Sequence, residues 1–189
     1  MAMFGPTSLR NHFLIAMPAL ADPNFFHTVT YICEHNDEGA MGIVINRPLD
    51  IRLGDVLQHM EIETRDAAVR DQFILGGGPV QTERGFVVHR PVGEWDVSLP
   101  VTDEIAVTTS RDILEALALG TGPGDALLAL GYAGWGAGQL EREMAENAWL
   151  SGPAEAAILF ETPLEQRWHA AASLLGVDLD SISSEVGHA

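Results

Sequence analysis

The chain has 189 residues, 47% of them hydrophobic, enough to bury a substantial core as one domain over residues 1–189. Its formal net charge is −17 and every one of its 10 positive side chains is Arg, scattered from Arg10 to Arg167. Such a chain lacks the clustered cations that neutralise phosphates, so direct nucleic-acid binding is disfavoured. Cys33 is the single cysteine, which excludes an internal disulfide and fits the cytoplasm. Arg10 followed by the apolar run from Phe13 and by Ala19-Leu20-Ala21 imitates a secretory signal, but Pro18 breaks the run too early. No apolar run reaches the ~18 residues of a membrane-spanning helix, so no membrane role is expected.

In chain order, 13–17, 28–34 and 41–46 read as three strands, separated by turn-forming Asp, Pro, Asn and Gly and closed by Pro48. Leu53, Val56, Leu57 and Met60 recur at helical spacing, and 61–71 is charged and exposed. A strand at 73–75 leads into the sharp loop Gly76-Gly77-Gly78-Pro79, followed by a strand over 85–89, an irregular stretch over 93–100 and a strand over 105–108. Ser110 caps a helix carrying Ile113, Leu114, Leu117 and Leu119, stopped by Gly120 to Gly124. The remainder reads as a strand at 126–130, a glycine-rich turn at 131–138, a helix at 139–149 and a strand at 156–160. A capping box of Thr162 and Glu165 with Pro163 at the first helical position then opens a helix that runs to Leu175 and is closed by Gly176. The last dozen residues are expected to be weakly held. Hairpin-like spacings early and strand–helix–strand units late favour α+β over a doubly wound sheet.

The chemistry-bearing candidates are few. Cys33 and His35 are two apart on a strand and so share a face, where the imidazole could lower the thiol pKa; burial of Cys33 as a small hydrophobe is the simpler reading. The 7 His show neither HExxH nor a Cys-pair spacing, and His27, His35 and His89, read as strand residues, lack a local carboxylate pattern, so no metal is expected. The turn at 131–138 stands where backbone N–H groups could hold a phosphate at residues 134–138. A GxGxxG beginning at Gly134 would need glycine where Gln139 stands, and a Walker loop needs the Lys this chain lacks, so no cofactor is expected. Gln139, Glu143 and Asn147 form a polar ridge on the following helix, while Glu141 points elsewhere.

The segments FLIAMP (13–18), TVTYICEH (28–35), GAMGIVINRP (39–48), GGPV (77–80) and GYAGWGAGQLEREMAENAWL (131–150) together resemble the AlgH/YqgE family of bacterial proteins. The resemblance spans nearly the whole chain. It implies an α+β fold with a bifurcated, partly barrel-like mixed sheet surrounded by helices, but no reaction and no transferable catalytic residue. Members are often labelled transcriptional regulators; this acidic chain, without an evident helix-turn-helix, argues against a direct version of that label.

The expectation is therefore a non-catalytic regulatory or binding protein that recognises a protein or small ligand through Asn46, Arg47, Gly77, Gly78, Trp135 and Gln139. The alternatives are a thiol-dependent enzyme using Cys33 and His35, or a phosphate-ligand-binding protein at the 134–138 glycines. Ligand identity, partner and oligomeric state stay open at this level.

Overall fold

The computed structural model describes residues 8–18, 22–23 and 25–179. The Ala19-Leu20-Ala21 signal mimic and nearly all of the final dozen residues lie outside these. The fold is mixed α+β, with a branched, mixed sheet flanked by helices. The described residues divide into two compact units, one containing residues up to Asn46 together with those from Ala133 onward, the other Arg47–Tyr132.

In the first unit, strands β1 (His12–Ala16), β2 (Val29–Asn36), β3 (Gly39–Val44) and β10 (Trp149–Pro153) pair antiparallel in the order β10-β1-β2-β3, and β3 also pairs with the last residues of β9 (Asp125–Gly136). β1 and β2 are buried on both faces, which is why their sequences read as nearly continuous apolar runs. Leu14, Ile32, Trp135, Leu140 and Trp149 form a core under helix α4 (Gln139–Ala145). Helix α6 (Arg167–Ser173) packs against β1 and β2, and the Trp168 indole donates to the Ala16 carbonyl at 3.0 Å. The buried Arg167 donates to the carbonyls of Ile45 and Thr162; burial lowers its pKa to about 10.

The second unit contains β4 (Pro48–Arg52), α1 (Leu53–His59), α2 (Ala67–Arg70), β5 (Phe73–Gly76), β6 (Val80–Arg90), β7 (Ser98–Pro100), β8 (Ala106–Thr108), α3 (Arg111–Leu119) and the first part of β9. Its sheet runs β4-β5-β9-β6-β8-β7, antiparallel except where β5 lies parallel to β9. Leu53, Leu57, Ile74, Val87, Ile113 and Leu128 form the core joining α1 and α3 to this sheet.

Several expectations are corrected. The glycine-rich stretch 131–138 is not a turn up to Gly136 but the continuation of one strand; its glycines permit close strand packing rather than chain reversal. The Gly77 N–H donates to the Leu130 carbonyl, and a side chain on Gly77 would strike the Gly131 carbonyl. Gly131 has φ +81°, and its own Cβ would stand 2.5 Å from the Gly78 carbonyl. The helix expected over 139–149 ends at Ala145, because Trp149 turns inward and begins β10. Residues 156–160 are helix α5 (Ala156–Phe160), not a strand; a short apolar run does not declare its own period. No capping box forms at Thr162: its hydroxyl bonds back to the Ala157 carbonyl, a 3₁₀ turn covers Leu164–Gln166, and the last helix ends at Ser173. His27 lies in a turn at φ +55°, not on a strand. Pro48 opens β4 rather than only closing the strand before it, and the charged stretch 61–71 contains α2, capped by Asp66.

Replacing Gly131 by Ala is expected to destabilise the protein by roughly 1–3 kcal/mol, since it combines a left-handed backbone with a steric collision. Gly124→Ala, where a Cβ meets nothing within 4 Å, is expected to stay within about 0.5 kcal/mol of the parent. Urea unfolding of both variants measures the difference; equal midpoints would contradict the close-approach explanation.

Candidate functional site

The residues singled out by the sequence fall into distinct local environments. Cys33 is fully buried, its Sγ 3.6 Å from the Tyr31 carbonyl, and burial, reinforced by Glu34, pushes the thiol pKa well above its ordinary value. The register of β2 against β3 shifts between Ile32 and Glu34, so simple two-residue alternation does not carry from Cys33 to His35. His35 is occupied elsewhere: its Nδ1 accepts the Leu9 N–H at 2.8 Å, and its Nε2 lies 3.3 Å from a Glu141 carboxylate oxygen. These environments oppose a thiolate.

Asn46 bridges two backbone segments, its Oδ1 accepting from Val29 N–H and its Nδ2 donating to the His27 carbonyl, both at 2.9 Å. Trp135 and Gln139 do come together, around Glu143. One carboxylate oxygen accepts the indole N–H groups of Trp135 at 3.1 Å and Trp149 at 3.0 Å; the other accepts the Gln139 amide at 2.8 Å. The amide oxygen of Gln139 in turn accepts the Gly136 N–H, one of the groups expected to face a phosphate. Of the expected polar ridge, Gln139 and Glu143 thus turn inward to Trp135, while Asn147 lies beyond the end of α4 and is exposed. In the second unit, the Arg47 carbonyl accepts from Gly76 N–H, while Gly77 and Gly78 make the close approach to Gly131. Among the described residues, no group of three or more His, Cys, Asp or Glu side chains could hold a metal ion.

The feature that sequence reasoning missed is a cavity of about 580 Å³ within the second unit. Ile74 of β5, Val87 of β6 and Leu128 and Leu130 of β9 supply the sheet side, Val56 of α1, Met60 just after it and Leu114 of α3 the helical side. The volume is in the range of small-molecule sites, and the combination of an apolar body with a few polar groups is typical of them. Those polar groups are Asp55, His59, Glu83 and Arg111, all exposed, with Thr109 and Ser110 partly buried and Thr108 buried. Asp55 accepts the Arg52 N–H at 2.9 Å at the start of α1, and Arg111 lies 3.9 Å from Glu115 one helical turn on. Beside the rim, burial acts to raise the Asp112 pKa, but hydrogen bonds from the Ser110 hydroxyl and the N–H groups of Asp96 and Ile113 outweigh it and hold the carboxyl below its ordinary value.

His89, on β6, is buried in a hydrogen-bonded core position. Its Nε2 lies 2.7 Å from the Thr108 hydroxyl and its Nδ1 3.0 Å from the Pro91 carbonyl; the Thr108 hydroxyl also lies 2.9 Å from that of Ser98. Burial lowers its pKa, opposed by the Pro91 contact.

Because the folded-state pKa of His89 lies below the ordinary 6.5, the unfolded chain binds more protons there. Its contribution to stability is complete above about 6.5 and is lost as pH falls below it. Urea midpoints at pH 7.5 and 5.5 should therefore differ less in His89→Gln than in the parent. His27, lowered first by burial and then by His169, contributes to both proteins and drops out of the comparison. Equal pH dependence in the two would remove His89 from this role. The Cys33 thiol is expected to resist iodoacetamide in the native protein and to react readily in urea; fast native alkylation, titrating below an ordinary thiol, would restore the thiol chemistry.

An AlgH-like family model matches residues 13–180. A UPF0301 protein of Thioalkalivibrio sulfidiphilus is 62% identical over 187 residues, covering 99% of this chain and 100% of its own. A UPF0301 protein of Nitrosococcus oceani is 60% identical over 180 residues, 95% of this chain and 96% of its own. The solution structure of the AlgH protein from Pseudomonas aeruginosa superposes with a TM-score of 0.80 at 52% identity, over 95% of each chain. A crystal structure of a protein from Corynebacterium diphtheriae shares the fold, with a TM-score of 0.75 at 18% identity over 95% of this chain and 93% of that one. Motifs running from β1 to β10, the mixed α+β fold and these relatives agree: the chain belongs to the AlgH-like family.

Proposed function

We propose that this protein is a non-catalytic regulatory protein of the cytoplasm that binds a small molecule with an apolar body, and that the cavity of the second unit is where the ligand sits. The carrying observation is the cavity itself: apolar side chains from four strands and two helices line about 580 Å³, with polar groups confined to a few positions. The absence of Lys and the charge of −17 support a function other than direct contact with DNA. The motif residues Asn46, Trp135 and Gln139 spend their polar groups on internal hydrogen bonds, which supports a scaffolding role for them.

Gly85 supplies a clean way to test occupancy. It lines the cavity, is exposed, and has nothing within 4 Å of the position a Cβ would take, so Gly85→Leu should obstruct the cavity without disturbing the core. The neutral fluorophore N-phenyl-1-naphthylamine is expected to bind the parent saturably at one site and Gly85→Leu roughly tenfold more weakly or worse. Urea midpoints of the two should agree. Absence of saturable binding to the parent, or equal binding to a folded variant, would refute the reading.

A further inference from the structure

We infer that the ligand of this cavity carries a cationic head on its apolar body, as an alkylamine or arylamine does; the inference rests on the small-molecule reading above. The charged rim decides it. Asp55 and Glu83 bring two carboxylates beside His59; of the two guanidinium groups near them, that of Arg111 already faces Glu115 at 3.9 Å, and that of Arg84 donates to the Gln81 amide oxygen and the Thr109 hydroxyl and lies over the Phe86 ring. The carboxylate of Glu83 has no hydrogen-bond or ion-pair partner among the described residues, so it is available to an incoming ammonium. It stands in the irregular part of β6, where register with β9 shifts between Val80 and Gly85, on an exposed stretch beside the cavity.

The start of α3 is the other place where a charged head could be recognised, and its polarity is already answered. The Asp112 carboxylate accepts the Ser110 hydroxyl at 2.6 Å and the Ile113 N–H at 3.0 Å, placing a negative charge where a helix would otherwise attract an anion. The net charge of −17 acts in the same sense at longer range, drawing cations toward the surface and repelling carboxylates. An amine can thus leave its carbon chain among Leu114, Leu128 and Leu130 while its head meets Glu83 and Asp55. A carboxylate of the same shape would meet two like charges.

Octylamine, octanol and octanoate differ mainly in the head and separate these cases. Each is titrated as a competitor of N-phenyl-1-naphthylamine on the full chain at low salt. Octylamine should bind about tenfold more tightly than octanoate, with octanol between them, and added salt should narrow the spread. Glu83→Gln should weaken octylamine about two- to fivefold while leaving octanol unchanged. Glu83 is exposed, and an unchanged urea midpoint confirms that the variant folds. Octanoate binding as tightly as octylamine, or a Glu83→Gln effect equal for all three, would overturn the cationic-head inference while octanol binding left the apolar-ligand reading standing. Failure of all three to compete, together with no dye binding to the parent, would overturn both.

Discussion

The contact between the backbones of Gly77 and Gly131 is the constraint on which the second unit is built. Gly77 gives its N–H to Leu130, and neither glycine has room for a methyl group against the carbonyls facing it. That approach sets β5 parallel to β9 from Ile74 to Gly76, while β6 runs antiparallel along the other edge of β9. Ile74, Leu128 and Val87 then lie side by side on neighbouring strands and serve both the core and the cavity. A bulkier residue at either glycine would part the strands, and the cavity would lose its sheet side before any residue lining it was changed.

The first unit solves a different problem, that of burying indoles. Trp135 and Trp149 are nearly fully buried, and each carries an N–H that costs roughly 1–3 kcal/mol if left unpaired. One oxygen of Glu143 satisfies both, and Gln139 occupies the other. Phe25 stacks on Trp135 and meets Trp149 edge-on, completing an aromatic cluster beneath α4. The dense motif around residues 131–150 therefore reflects a packing and hydrogen-bonding requirement. Such strict local demands leave a legible mark in a sequence, distinct from any that a ligand would impose.

The same distinction explains what the sequence revealed. The early strands were legible because β-branched and aromatic residues run between unmistakable turn formers, as in Thr28 to Glu34, and α3 was legible from its apolar spacing and from Gly120, which ends it at φ +77°. Glycine misled at 131–136, where it signals close packing as readily as reversal, and the apolar run at 156–160 was too short to separate helix from strand. The family and the α+β class survived these local errors because they rest on the whole pattern. The cavity left no local signal at all: Val56, Ile74, Val87, Leu114 and Leu128 each read as ordinary core residues, and only the sheet order brings them around one space. Glu83 carries no local signal either: the irregular part of β6 is what places it at the rim.

The tryptophans are unevenly distributed between the two units. Of the 4 in the chain, Trp135, Trp149 and Trp168 belong to the first, and Trp95 alone to the second, where it packs against the α1 and α3 core and meets His89 edge-on. The molecule thus contains its own optical labels. Emission from a protein retaining only Trp95 follows the unit that holds the cavity, whereas emission from the other three follows the indole cluster and the α6 contact, so the melting of each unit has a separate spectroscopic voice without any attached dye.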